Sequence, residues 1–317
     1  MQISRSLLSN PALKAATVLA VSALALTACT NASETGTGGA ATPSGSAPAS
    51  FDPSTVQKDD ALAAMVPEAI KSKGTLTVGS DTSYAPAEFL GTDGQTAVGY
   101  DVDIAKAIGA ALGLKVQVQT AEFTGILPAL GPKYDLGISS FTINPERLAA
   151  VNMVSYYQAG TGWAVQKGNP KKVSLDDLCG KSVGVQTGTI QEDPDLSDRN
   201  KKCLAEGKQP INIVTLKTQT DITTRLVNGS IDAMAADSPI IGYALTQTNG
   251  QLEKLGEVYD SAPQGIAVAK SDTALADVVQ KTVTKLMEDG SYKKILEAWG
   301  ANDGAITKSE VNPAAAS

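Results

Sequence analysis

From Lys73 onward, short apolar runs alternate with segments of helical period, and this order leaves few architectures open. Leu76–Gly79 reads as a short buried strand. Asp101–Leu112 carries Val102, Ala105, Ile108 and Leu112 on one face and stops at Gly113, which predicts a helix. Lys115–Thr120 alternates like a strand, Thr124 can cap a short helix through Leu130, and Asp135–Ser139 is another strand. A second unit repeats the pattern, with strand Ser182–Val185, helix Thr220–Asn228 closed by Gly229, strand Ile231–Ala235, and helices Leu275–Glu288 and Ser291–Trp299. Such a βαβα order implies a mostly parallel sheet covered by helices on both faces. Roughly 230 residues of this kind suit two α/β lobes better than one. Ligands of open α/β sheets sit outside the carboxyl ends of strands. Asp81, Ser140, Gln186 and Asp237 stand at such ends.

The first 72 residues belong to a different regime. Arg5 and Lys14 precede an uncharged apolar run, Ala15–Ala28, which is too short to span a bilayer comfortably and has the length of a signal peptide. It ends Leu26-Thr27-Ala28-Cys29, which resembles a bacterial lipoprotein cleavage box; on that resemblance Cys29 is lipidated and begins the mature chain. An ordinary signal peptide with an incidental cysteine is the plainer alternative. Thr30–Ser50 is rich in Gly, Ala, Ser, Thr and Pro and reads as a flexible tether, with linker to residue 59 and a short helix over Asp60–Ser72.

Charge and residue usage exclude several functions. Removal of residues 1–28 takes the formal charge from −7 to −9, and no basic run exceeds Lys201-Lys202, which argues against a nucleic-acid partner. The chain contains no histidine. The commonest general base, the Ser-His and Cys-His nucleophile pairs and His-ligated zinc are therefore absent. Apart from Cys29 there are Cys179 and Cys203, 24 positions apart in a chain bound for an oxidising compartment. A disulfide is the default, and a two-thiol metal site is the alternative.

Ser139–Arg147 (SSFTINPER) is the segment that points to a ligand. Asn144 is a good N-cap and Pro145 suits the first helical position. Arg147 then falls in the first turn, where the helix end is already positive. A guanidinium fork beside hydroxyls and free N–H groups makes a carboxylate site. The alternative is a solvated arginine, or one paired with Glu146 or Asp135.

Several segments in order resemble the solute-binding proteins of ABC importers, in the polar amino-acid group. Gly99-Tyr-Asp-Val-Asp-Ile-Ala105 resembles that family's signature. Ser80-Asp81-Thr-Ser-Tyr84-Ala-Pro86, Phe123-Thr-Gly-Ile-Leu-Pro-Ala129, Lys133-Tyr-Asp135, Gly184-Val-Gln186-Thr-Gly-Thr189 and Gly229–Asp237 follow the same pattern. The resemblance covers about Lys73–Gly300. It implies a two-lobed periplasmic-binding-protein fold of type II, with the ligand in the cleft between lobes. Residues 73–158 plus 265–300 would form the first lobe, 159–264 the second and 301–317 a C-terminal tail. The crossovers would lie near Gln158–Gly162 and Pro263–Gly265.

The resemblance also implies roles. Arg147 would hold the α-carboxylate of an amino acid, with Thr142 and Thr189 adding donors, Thr189 at a helix start with free N–H groups. The Ser140 carbonyl and the Asp237 carboxylate would take the α-ammonium, and Tyr84 and Phe123 would sandwich the aliphatic stem. Asp81 and Glu88 would face the side-chain end, with Gln186 and Gln191 opposite. Each role has a plainer alternative: Asp237 and Asp81 as caps, Tyr84 and Phe123 as core aromatics. Asp101 and Asp103 read as caps of their own helix. Glu192-Asp-Pro194 interrupts the helix that follows the glycine turn, and Asp193 could cap a restart at Pro194.

No second cation is evident for an acidic ligand side chain, and a carboxylate buried against Asp81 would be costly. The expected ligand is basic or neutral polar, arginine or lysine first and glutamine second. The implied partners are a free amino acid, the transmembrane subunits of an ABC permease and, through the lipid, the membrane. The chain is expected to act as a monomer without cofactor or metal. Competing classes are a cleft dehydratase using Glu192 and an ectodomain that senses the amino acid.

Overall fold

The computed structural model describes residues 51–315. The proposed signal peptide, Cys29 and the Thr30–Ser50 tether lie outside these residues. The linker expected to reach residue 59 is packed from Phe51, which lies against the core, and Val56 is buried. The single helix expected over Asp60–Ser72 is two, Asp60–Met65 and Glu68–Lys73. Pro67 separates them: the residue before a proline is pushed out of the helical region, and Val66 has ψ 135°.

Twelve strands follow. They are β1 (Thr75–Ser80), β2 (Ser83–Tyr84), β3 (Glu88–Leu90), β4 (Ala97–Val98), β5 (Lys115–Thr120) and β6 (Leu136–Gly137). Then come β7 (Val151–Gln166), β8 (Ser182–Gln186), β9 (Asn212–Leu216), β10 (Ala233–Asp237), β11 (Leu252–Lys254) and β12 (Tyr259–Ala269). The main sheet runs β5-β1-β6-β12-β7-β10-β8-β9, with β11 on β7, and β2, β3 and β4 form a small separate sheet.

The sheet is parallel only towards its two ends, at β5-β1-β6 and at β10-β8-β9. Its centre is antiparallel, because β7 and β12 run side by side and each also pairs antiparallel with its outer neighbours. The expectation of a mostly parallel sheet is corrected to this extent. Sequence periodicity missed β7 because it is buried on both faces along nearly all of its sixteen residues, so nothing alternates. The two expected crossovers fall inside this pair: Gln158 stands opposite Pro263 and Ala159 opposite Ala262. The molecule thus has two sheet halves held by one shared ribbon.

The C-terminal segment is a brace rather than a loose tail. Val311 bridges Val154, the backbones of Ser155 and Glu310 are joined, and Asn312 exchanges hydrogen bonds with Asn152 and Met153. Tyr157 donates its hydroxyl hydrogen to the Ala301 carbonyl. Gly304 packs against the Tyr157 ring, where a β-carbon would come within 2.1 Å of Cζ. On the other half, Cys179 and Cys203 are joined as a disulfide, tying the loop before β8 to helix Ser197–Ala205.

Candidate functional site

The carboxyl ends of β1, β6, β8 and β10 open onto one cleft between the two halves. All four residues expected at strand ends line it. Its free space is small, about 290 Å³ including the parts that face solvent.

Arg147 enters from helix Pro145–Ala150. Asn144 caps that helix as expected, its Oδ1 accepting the Arg147 backbone N–H at 2.8 Å. The guanidinium lies over the rings of Phe123 and Phe141 at 5.4 and 5.6 Å, and those rings stack on each other at 4.7 Å. It donates to the Thr142 carbonyl at 2.8 Å and, across the cleft, to the Gly188 carbonyl at 3.1 Å. Asp135, one alternative partner, binds Lys73 instead. Among the described residues Arg147 forms no ion pair, so a guanidinium with unused donors faces the cleft. Burial lowers its pKa, opposed by the charge of Asp237.

Asp237 ends β10 on the opposite wall. It holds the N-cap position of the helix that follows, but its side chain makes no capping hydrogen bond and turns to the cleft instead. Its oxygens accept from Gln191 Nε2 at 3.0 Å and Gln264 Nε2 at 2.8 Å, and its backbone N–H donates to the Tyr84 hydroxyl oxygen at 3.1 Å. Burial pushes its pKa to about 6 despite these donors and Arg147. A buried carboxylate held this way favours an arriving ammonium group.

Ser140 links the first wall to its foundation. It is a non-glycine residue with φ 52°, a left-handed conformation that needs support. Support comes from Asp101, whose Oδ2 accepts the Ser140 N–H at 2.9 Å and whose Oδ1 accepts the Tyr156 hydroxyl at 2.6 Å. Asp101 and Asp103 are therefore not caps. Gly99 occupies the N-cap position, and Asp103 accepts from Trp299 Nε1 at 2.8 Å.

Asp81 accepts from Ser83 Oγ at 2.7 Å, from the Phe123 N–H at 3.0 Å and, across the cleft, from Gln186 Nε2 at 2.9 Å. Burial raises its pKa against these bonds. Glu88 lies behind it, fully buried, receiving the Ser139 hydroxyl at 2.8 Å.

Two expectations need correction. The Thr189 hydroxyl is spent inside its own turn, donating to the Gln186 carbonyl at 2.7 Å, and the preceding Gly188 N–H is taken by Glu192 at 2.5 Å. Glu192 thus closes the turn. The restart at Pro194 is present: Asp193 takes the extended backbone of an N-cap residue (φ −143°, ψ 125°) and splits Gln191–Leu196 into two helical pieces, although among the described residues its side chain accepts no capping hydrogen bond. Thr124 does not cap a helix to Leu130: Glu122 precedes helix Phe123–Ile126, which continues as a 3₁₀ turn over Leu127–Ala129.

Tyr84, Phe123, Thr142, Thr189 and Gln191 also reach the cleft. Sequence reasoning missed Phe141, Ser139 and Gln264. Phe141 sits inside the motif that announced Arg147 and could have been found there. Gln264 carries no local signal, because its crossover strand is recognised only through its partner β7.

A family description, bacterial extracellular solute-binding proteins, family 3, matches residues 76–302. The arginine-binding protein ArgT of Corynebacterium glutamicum is 33% identical over 252 residues, 79% of this chain and 82% of that protein. An ancestral arginine-binding protein solved with arginine is 34% identical with a TM-score of 0.65, covering 71% of this chain and 98% of that one. An ancestral amino-acid-binding protein described as a precursor of cyclohexadienyl dehydratase is 31% identical with a TM-score of 0.64, over 73% and 98%. With two sheet halves on a shared ribbon, a cleft at the strand ends and this match, the chain belongs to the family 3 extracellular solute-binding proteins of bacteria.

Proposed function

We propose that this protein captures a free basic amino acid, arginine first and lysine next, outside the cytoplasm and delivers it to the transmembrane subunits of an ABC importer. The observation that carries this reading is a pair of unmatched ends in one cleft. Arg147 presents a guanidinium without a carboxylate, and Asp237 presents a buried carboxylate without a cation. A zwitterionic backbone satisfies both. Charge-assisted hydrogen bonds of about 1.5–3 kcal/mol each support micromolar capture, about −8 kcal/mol, after ordering costs. Asp81 and Glu88 add two carboxyls beyond the grip, which suit a cationic side chain and disfavour aspartate or glutamate. In this reading Tyr84 and Phe123 flank the aliphatic stem, Thr142, the backbone at Thr189 and the Ser140 carbonyl complete the backbone contacts, and Gln186 and Gln191 order the carboxylates.

The lobes are taken as 73–158 plus 265–300 and 159–264, closing as the ribbon bends. Anchoring through a lipid on Cys29 and action as a monomer complete the proposal. Supply of the captured amino acid to a separate sensor is the second reading, separated from transport by measuring uptake in a strain without the gene. Dehydratase chemistry has little support: Glu192, its one candidate acid, is turned into the Gly188 turn. Calorimetry of the soluble domain with arginine, lysine, glutamine and glutamate tests the ligand. Tight glutamate binding with no heat from the other three would sink it.

A further inference from the structure

Beyond the Arg147–Asp237 grip, the cleft floor holds more acid than it can ionise. Glu88 opens β3 and Asp101 lies in the first turn of helix Tyr100–Leu112; each is 1% exposed. The Ser140 hydroxyl stands between them, 3.3 Å from Glu88 Oε2 and 3.4 Å from Asp101 Oδ2. It has one hydrogen and can serve only one of them. Asp81 is a third buried carboxyl, tied to the same cluster because its backbone N–H donates to the Ser139 hydroxyl that donates onward to Glu88.

The other titratable groups facing Glu88 are Tyr84, Tyr100 and Tyr156, and none is a cation. The ion pairs among the described residues all involve other carboxylates. Arg147, the cation among the residues that line the cleft, is held at the Thr142 and Gly188 carbonyls.

Buried carboxyls this close cannot all be charged, so the cluster keeps a proton. The donors decide where. Asp101 receives a backbone N–H and the Tyr156 hydroxyl, whereas Glu88 receives only serine hydroxyls. Asp101 is the better-stabilised anion, and Glu88 holds the proton. Burial and the neighbouring Asp101 push the Glu88 carboxyl well above the usual carboxylate range, in agreement with this order.

We propose that Glu88 sets the preference for a cationic side chain by exchanging its proton for the ligand's charge. When a guanidinium or ammonium end enters beside Asp81 and Glu88, the carboxylic acid becomes a carboxylate and its proton leaves to solvent. A neutral side chain of similar length brings no charge to replace the proton and meets an uncharged acid. The exchange rests on the capture of an amino acid proposed above.

The test is calorimetry of arginine binding at pH 7 in phosphate and in Tris, whose ionisation enthalpies differ. The expected result is a buffer-dependent enthalpy equal to the release of roughly 0.5–1 proton per arginine, and an affinity that rises with pH by up to about tenfold per unit. Any proton from Asp237 is common to all amino acids. The excess of arginine over citrulline or glutamine therefore isolates the side-chain end, and the Glu88→Gln variant assigns it to Glu88: there the arginine value should fall to theirs. Arginine binding with equal enthalpy in both buffers overturns the exchange and leaves capture standing. Failure of both arginine and lysine to bind overturns the capture reading and the exchange with it.

Discussion

Arg147 and Asp237 act on each other through the space between them, and each is uncomfortable without a ligand. Truncating one partner of a buried charged contact costs about 2–5 kcal/mol, so Arg147→Ala should weaken every amino acid by a similar large factor in calorimetry. A variant that keeps its affinity but changes its ligand order would contradict the division between backbone grip and side-chain end. Asp237 carries a stability penalty as well. Its pKa is about 6 in the folded chain against 3.8 when exposed. Stability it contributes is therefore present at low pH and lost as pH rises from about 4 to 6, by up to about 3 kcal/mol. Asp237→Asn should raise the melting temperature of the ligand-free protein at pH 7, gain nothing below pH 4, and abolish binding. An equal shift at both pH values would rule out the buried charge as its origin. That Arg147 and Asp237 line one cleft was legible in the sequence because caps, prolines and strand ends are local signals. Their supports, Asp101 and Gln264, were not, because each acts on a partner 27 or more positions away.

The turn Gln186–Thr189 shows how one element serves both halves. Gly188 has φ 82°, and a β-carbon there would lie 2.5 Å from Thr124 Cγ2 on the opposite wall. Gly188→Ala should act as a wedge. Affinity falls about tenfold or more, while the melting temperature of the ligand-free protein changes by the modest cost of a left-handed alanine, about 1 kcal/mol. Combining it with Thr124→Ala should restore part of the affinity, and no recovery would mean the wedge is not the cause. Elements with one polar face or a clear stop, such as β5 and helix Tyr100–Leu112, were found within a residue. The ribbon β7–β12 was not, since continuous burial erases periodicity and only pairing defines it. The small sheet β2-β3-β4 escaped for the opposite reason: its strands are two or three residues long.

The whole molecule divides its stability and its function between different parts. The disulfide joins residues 24 apart, and closing such a loop contributes about 3 kcal/mol by restricting the unfolded chain. Neither cysteine lines the cleft. Reduction should therefore lower the melting temperature clearly while changing ligand affinity much less. A loss of affinity as large as the loss of stability would show that helix Ser197–Ala205 governs the site. The ribbon has a further consequence. Ala159 and Ala262 are cross-strand neighbours, so the long segment between them begins and ends at one rung of the ribbon. Topologically it is an insertion whose two ends already meet at ladder spacing. Excising it and closing the gap with a tight turn would leave β5-β1-β6 with the stubs of β12 and β7, still braced by residues 309–312.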